Sequence, residues 1–183
     1  MIELEIDSIR VNLRNYQRVV ILREKDADRF LPIWIGPTEA DAIAYRLQDV
    51  TVARPQTHDL LSNLVEQLGA TVRSVVVNDM SNDIFYARIQ LEQDGRSLEI
   101  DSRPSDAIAL AVRAKVPIYV EDAVLSEHGV VLNENGEVDG EVESEDAKAG
   151  RAEVTPEELE KLSAFQDFIS ELDLDDLGKR GDD

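Results

Sequence analysis

The sequence predicts an α+β fold: an internally duplicated strand-strand-strand-helix unit forming a mixed or antiparallel sheet packed with helices, then an acidic linker and a C-terminal helix. Three observations predict it. The run Pro37-Thr38-Glu39-Ala40-Asp41-Ala42-Ile43-Ala44-Tyr45-Arg46 recurs 67 positions later as Pro104-Ser105-Asp106-Ala107-Ile108-Ala109-Leu110-Ala111-Val112-Arg113. Upstream, Arg29, Leu31 and Ile33 match Arg96, Leu98 and Ile100 at the same offset, and Ser8–Asn12 resembles Ser74–Asn78 at an offset of 66. Apolar residues alternate ahead of each copy and take helical spacing within it. A repeat of this length present only twice points to duplication inside one domain, not to a stacked solenoid.

The elements follow in order. Ile2, Leu4 and Ile6 alternate with acids as a half-buried strand, and the apolar phase then slips to Ile9, Val11 and Leu13. Such a slip turns the second set to the other face, so a bulge is expected near Asp7-Ser8. Val19-Val20-Ile21-Leu22 is apolar on both faces, as in a central strand, and Phe30–Ile35 is a short strand ending at Gly36. After Pro37 a helix places Ala40, Ile43, Ala44 and Leu47 on one face. A second helix over about 56–68 turns Leu60, Leu61, Leu64, Val65 and Leu68 inward and stops at Gly69. Strands return at about 71–78, 84–92 and 96–101, with Phe85, Ala87, Ile89 and Leu91 on one face. The third helix, Ser105 to Lys115, is apolar nearly all round and is expected to be deeply buried. Pro117 to Glu121 is a last strand, and Asp122 is expected to cap a short helical turn.

These elements place a domain at 1–132, an acidic linker at 133–154 and an amphipathic helix with an acidic tail at 155–183. The linker is rich in Gly, Glu, Asp and Ser, a composition that orders weakly. Thr155-Pro156-Glu157-Glu158 reads as a capping box, and Leu159, Leu162, Phe165, Ile169 and Leu172 form its apolar stripe. That stripe suits docking on its own domain, on a sister subunit, or on a protein partner.

Composition narrows the chemistry. The net charge of −20 is uneven: residues 1–132 hold 21 acids and 14 bases, and residues 133–183 hold 18 acids and 5 bases. There is no cysteine and only two histidines, His58 and His128, which removes thiolate chemistry and Cys- or His-rich metal sites. Met1–Glu5 lacks the basic start and apolar core of a signal peptide, and no apolar run approaches the roughly 20 residues that span a bilayer. The expectation is a cytoplasmic protein with no membrane association. No P-loop or dinucleotide-binding glycine pattern occurs.

Three segments share a grammar of proline, hydroxyl residue and acid at a helix entrance: Gly36-Pro37-Thr38-Glu39, Arg54-Pro55-Gln56-Thr57-His58-Asp59 and Arg103-Pro104-Ser105-Asp106. Stability alone explains much of it. Thr38, Thr57 and Ser105 are suited to N-caps worth about 1 kcal/mol each, and first-turn acids favour the helix dipole. Arg54 and Arg103 ask for more, because a cation at a helix N-terminus needs an anion beside it. Asp59 or Asp106 could supply that anion, or a phosphate bound with Thr57, Ser105 and free helix N–H groups. Acids beside such a phosphate, Glu39, Asp59, Asp101 and Asp106, are candidate ligands for Mg²⁺ or Mn²⁺. Glu39, Asp59, Asp106 and His58 are the candidate catalytic groups, with His58 as general acid or base or simply locally hydrogen-bonded. Trp34 and Tyr86 read as packing residues before base-stacking ones.

Leu31-Pro32-Ile33-Trp34-Ile35-Gly36, Glu39-Ala40, Ala42-Ile43-Ala44, Arg54-Pro55 with Thr57-His58-Asp59-Leu60-Leu61, Arg103-Pro104-Ser105-Asp106-Ala107 and Val116-Pro117-Ile118-Tyr119-Val120 together resemble the bifunctional nuclease domain family. The resemblance runs collinearly over roughly residues 1–132. It implies an α+β domain that cleaves RNA and DNA and forms homo-oligomers. The alternative left by the residues is a non-enzymatic regulatory or ligand-binding scaffold whose acidic tail recruits a partner protein. An enzyme acting on a small phosphorylated metabolite is a third reading.

Overall fold

The computed structural model describes residues 1–11, 17–25 and 27–131; the predicted linker and C-terminal helix lie outside the described residues. Seven strands and four helices follow in the order β1 (Ile2–Val11), β2 (Arg18–Glu24), β3 (Phe30–Ile35), α1 (Pro37–Leu47), α2 (Thr57–Gln67), β4 (Ala70–Ser81), β5 (Ile84–Gln93), β6 (Arg96–Ser102), α3 (Pro104–Ala114), β7 (Ile118–Val120) and α4 (Asp122–His128). The class is α+β. Three strands and a helix occur in succession twice, with α2 between the two runs.

All seven strands form one mixed sheet in the order β3-β2-β1-β7-β4-β5-β6. Each run of three is an antiparallel meander. The short β7 joins them, antiparallel to β1 and parallel to β4. Ile118 and Val120 are buried because this strand is paired on both sides. The phase slip in β1 is a register shift between Ile6 and Ser8, as the alternation predicts. β4 has two further shifts, at Val72/Ser74 and Val77/Asp79. Pro32 is accommodated because β3 is an edge strand.

The core lies between sheet and helices. Val20, Leu22, Leu31, Ile33, Val75, Val77, Ala87, Ile89 and Leu91 meet Ile43, Ile108 and Leu110 there. Full burial of each large aliphatic side chain stabilises by about 2 kcal/mol. Helix α3 is the hub, touching α1, α2, β4 and β5. Its Ala107, Ala109 and Ala111 let neighbours approach closely, and all three are buried.

Several local expectations need correction. The caps of α1, α2 and α3 are Gly36, Gln56 and Arg103, so Thr38, Thr57 and Ser105 sit inside the first turn. In α1 and α3 the cause is proline: it takes the first helical position and forces the preceding residue to be extended. Asp122 likewise begins α4 and does not cap it; its carboxylate receives the Met1 ammonium at 2.8 Å. Leu47 in α1, Leu60 and Leu64 in α2 and Leu68, its C-cap, are exposed, each by half or more. Leu61 and Val65 do turn inward as expected, half-buried against the core, and the buried residue on that face is His58. No helix among the described residues is long and apolar enough to cross a membrane.

Candidate functional site

The two repeated helix starts meet. Glu39 and Asp106 occupy the same third position of α1 and α3, and Arg103, capping α3, joins them. Arg103 donates from Nε to Asp106 Oδ2 at 2.7 Å, and from Nη2 to Asp106 Oδ1 at 3.2 Å and to Glu39 Oε1 at 2.9 Å. The Glu39 side chain folds back over Gly36, where a Cβ would collide with its Oε2. The Glu39 side chain is 18% exposed, whereas the Arg103 side chain is 67% exposed. Arg103 is thus the open edge of the cluster, and its Nη1 carries no hydrogen bond among the described residues.

The start of α2 completes the arrangement. His58 Nε2 lies 3.0 Å from Asp106 Oδ1, with a side chain only 10% exposed. The bond is not local, because 48 residues separate the partners. Burial pushes the Asp106 carboxyl up, but hydrogen bonds from Arg103 and His58 and the Arg103 charge outweigh it and hold the carboxyl below its ordinary value. An ionised Asp106 makes His58 Nε2–H the donor and leaves Nδ1 as the basic nitrogen. Arg103 shifts the opposite way, held more firmly protonated by its bonds to Asp106 and Glu39.

Asp59 belongs to a second network that begins one residue away. Its Oδ2 accepts Gln56 N–H at 2.8 Å and its Oδ1 accepts Arg113 Nε at 2.6 Å. Arg113, 5% exposed, also donates to the carbonyls of Ala42 and Ala109 and to Gln56 Oε1. This guanidinium ties α1, α3 and the entrance of α2 together. Desolvation raises the Asp59 carboxyl, yet the Gln56 and Arg113 bonds leave it lowered overall. The helix-entrance grammar points to Arg54 as the partner of Asp59; the partner is Arg113, which closes the repeated run.

The other predicted residues lie around these networks. Arg54 is exposed just ahead of α2, with no ion pair among the described residues, and Thr57 is exposed in its first turn. Ser105 is buried. Asp101 is exposed on β6 opposite Arg88 and joins neither network. Glu39, Asp106, Asp59 and Asp101 therefore do not share one centre. Among the described residues no group of three or more His, Asp or Glu side chains is arranged to hold a metal ion.

An imidazole held by an ionised carboxylate, beside an exposed guanidinium with free donors, can move protons next to a bound anion. An uncharacterized protein of Mycobacterium tuberculosis is 39% identical over 168 residues, covering 92% of this chain and 94% of its own. Bifunctional nuclease 1 of Arabidopsis thaliana is 27% identical over 172 residues, 88% of this chain and 53% of its own. Bifunctional nuclease 1 of Oryza sativa subsp. japonica is 30% identical over 118 residues, 63% and 36% respectively. The chain thus spans about half or less of these two plant nucleases. The bifunctional nuclease domain itself matches residues 20–133, which contain both repeated helix starts, His58 and every residue of the Arg103 cluster, and on that match the chain belongs to the bifunctional nuclease domain family.

Proposed function

We propose that this protein is a phosphodiesterase cleaving RNA and DNA, with its reaction centre at His58, Asp106, Arg103 and Glu39. The observation that carries this reading is the His58–Asp106–Arg103 chain of hydrogen bonds at the meeting of three helix starts. Asp106 orients the imidazole, which serves as general acid or base. Arg103 offers its free Nη1 donors to the scissile phosphate, where charge develops during transfer. Glu39 fixes the guanidinium from the other side, and exposed Arg54 and Thr57 extend the phosphate contacts along α2. The two runs of three strands and a helix are read as a duplicated unit, which gives the two acids equivalent positions.

A divalent cation, Mg²⁺ or Mn²⁺, belongs to this reading at Glu39 and Asp106 alone. Both are hard oxygen donors of the kind these ions take together with substrate phosphate. The same oxygens bond Arg103, so the ion and the guanidinium compete for them. The scaffold alternative draws on that neutralisation too, since ion pairs could simply lock the helix starts.

Cleavage of single-stranded RNA and DNA, with Mg²⁺, with Mn²⁺ and with chelator, separates the two. Asp106→Asn should lower turnover at least about 100-fold, in the range of lost acid–base catalysis, with its circular dichroism spectrum retained. Turnover equal to wild type in the folded variant removes the reaction centre from this cluster. No cleavage by wild type under any condition favours the scaffold.

A further inference from the structure

A cavity of about 480 Å³ opens between the end of α1, the loop leading to α2 and Arg113. Its walls are Tyr45, Arg46, Asp49, Val50, Thr51 and Val52, and its floor is the Gln56–Asp59–Arg113 network. Arg46 and Arg113, the closing residues of the two repeated runs, both line it. The volume is that of a small-ligand site. From Asp106 to Arg113 along α3 is about 10 Å at helical rise, so the cavity neighbours the reaction centre without sharing its residues.

The lining selects a ligand class. Tyr45, Val50 and Val52 each expose more than a third of their surface, which gives apolar faces for a flat ring. Two arginines stand against two aspartates, so the cavity has no net charge, and a phosphate here would face Asp49 and Asp59. A purely apolar ligand would leave the polar groups unanswered. The Arg46 side chain is half-buried with no hydrogen bond or ion pair among the described residues, and its charge helps hold the Asp59 carboxyl down. Gln56 accepts from Arg113 through Oε1, which leaves its amide N–H groups as donors. Thr51 adds a hydroxyl and Asp49 an acceptor. The loop is shaped to hold them: Asp49 takes a left-handed φ of 51°, and its N–H and that of Val50 return to the carbonyls of Arg46 and Tyr45. One aromatic face among aliphatic side chains, with donors and acceptors beside it and no net charge, suits a nucleobase, which stacks on its face and is read at its edges.

We infer that this cavity binds a base of the single strand whose phosphate lies at Arg103, stacked on Tyr45 and held at its edge by Arg46, Gln56 and Thr51. The inference rests on the nuclease reading for its substrate, but not for its test. The probes are the four ribonucleoside 5′-monophosphates, followed by saturation-transfer NMR, and a short single-stranded RNA, followed by steady-state cleavage. The expected result is base-proton saturation by wild type, weakened about ten-fold in Tyr45→Ala, the scale of one lost base–aromatic stack. Tyr45→Phe should retain it, Arg46→Ala should weaken it, and KM for the RNA should rise in parallel with that loss. Tyr45-dependent mononucleotide binding by a protein that cleaves nothing keeps the base site and removes the nuclease reading. Binding and KM that are unchanged in both alanine variants, or no binding while cleavage proceeds with wild-type KM in both, overturn the base site.

Discussion

Arg113 is buried to 5% exposure with four acceptors in place, and only Asp59 among them is charged. Removing that one charge leaves a desolvated guanidinium facing neutral groups. Asp59→Asn should therefore cost on the order of 3 kcal/mol, as when one partner of a largely buried pair is lost. The pH dependence has a definite sign. The Asp59 carboxyl is lowered on folding, so its contribution is complete above the unfolded value near 3.9 and is lost as pH falls through the lower folded value. Urea midpoints measured from pH 6 downward should fall more steeply in wild type than in Asp59→Asn. A variant with the wild-type midpoint and acid limb would show that Arg113 does not depend on this carboxylate. Asp106 is lowered as well, so part of the acid sensitivity will survive in the variant.

The helices show what the sequence could reveal about the site and where it stopped. The repeated run marked Glu39 and Asp106 as equivalent, and the structure places both at the third position of their helices, joined by Arg103. Local signals carried that far because proline and a following acid fix a helix start over four residues. They did not fix which residue caps it: proline's hold on its neighbour outranks the hydroxyl's capping preference. The inward face of α2 is narrower than its apolar residues suggest: Leu61 and Val65 pack on the core, while Leu60, Leu64 and Leu68 stay exposed. Two adjacent apolar stripes look alike in sequence, and only tertiary packing decides between them. The packing chose the side that carries His58 inward, a polar residue that hydrophobic spacing cannot count. Its partnership with Asp106 spans 48 residues and was invisible to local pattern. Asp59 shares the acidic grammar with Asp106, and Asp101 stands two residues ahead of Arg103, but helix and strand geometry send them to other places.

At the scale of the molecule, the two halves of the sheet match in sequence but not in burial. Leu31 and Ile33 of β3 are fully buried, while their counterparts Leu98 and Ile100 of β6 are 38% and 47% exposed. Both pair directly with the core residues Leu91 and Ile89, so they lie on the core side of the sheet at an open edge. With exposed Leu60 and Leu64 of α2 and Leu68 at its end they leave considerable apolar surface in water. We propose that self-association covers part of it. Sedimentation should give a mass above 20.5 kDa that shifts toward the monomer in Ile100→Glu; a wild-type monomer would rule this out. The imidazole at the convergence of the three helix starts carries the proposed chemistry. Its most direct test is the single-turnover rate of single-stranded RNA cleavage by wild type and by His58→Gln, which keeps bulk and a donor for Asp106 but no titratable nitrogen. A fall of about 10² to 10⁴, the range for a lost general acid or base, with unchanged thermal unfolding is the predicted result. A rate equal to wild type would contradict it and leave His58 as a packing residue.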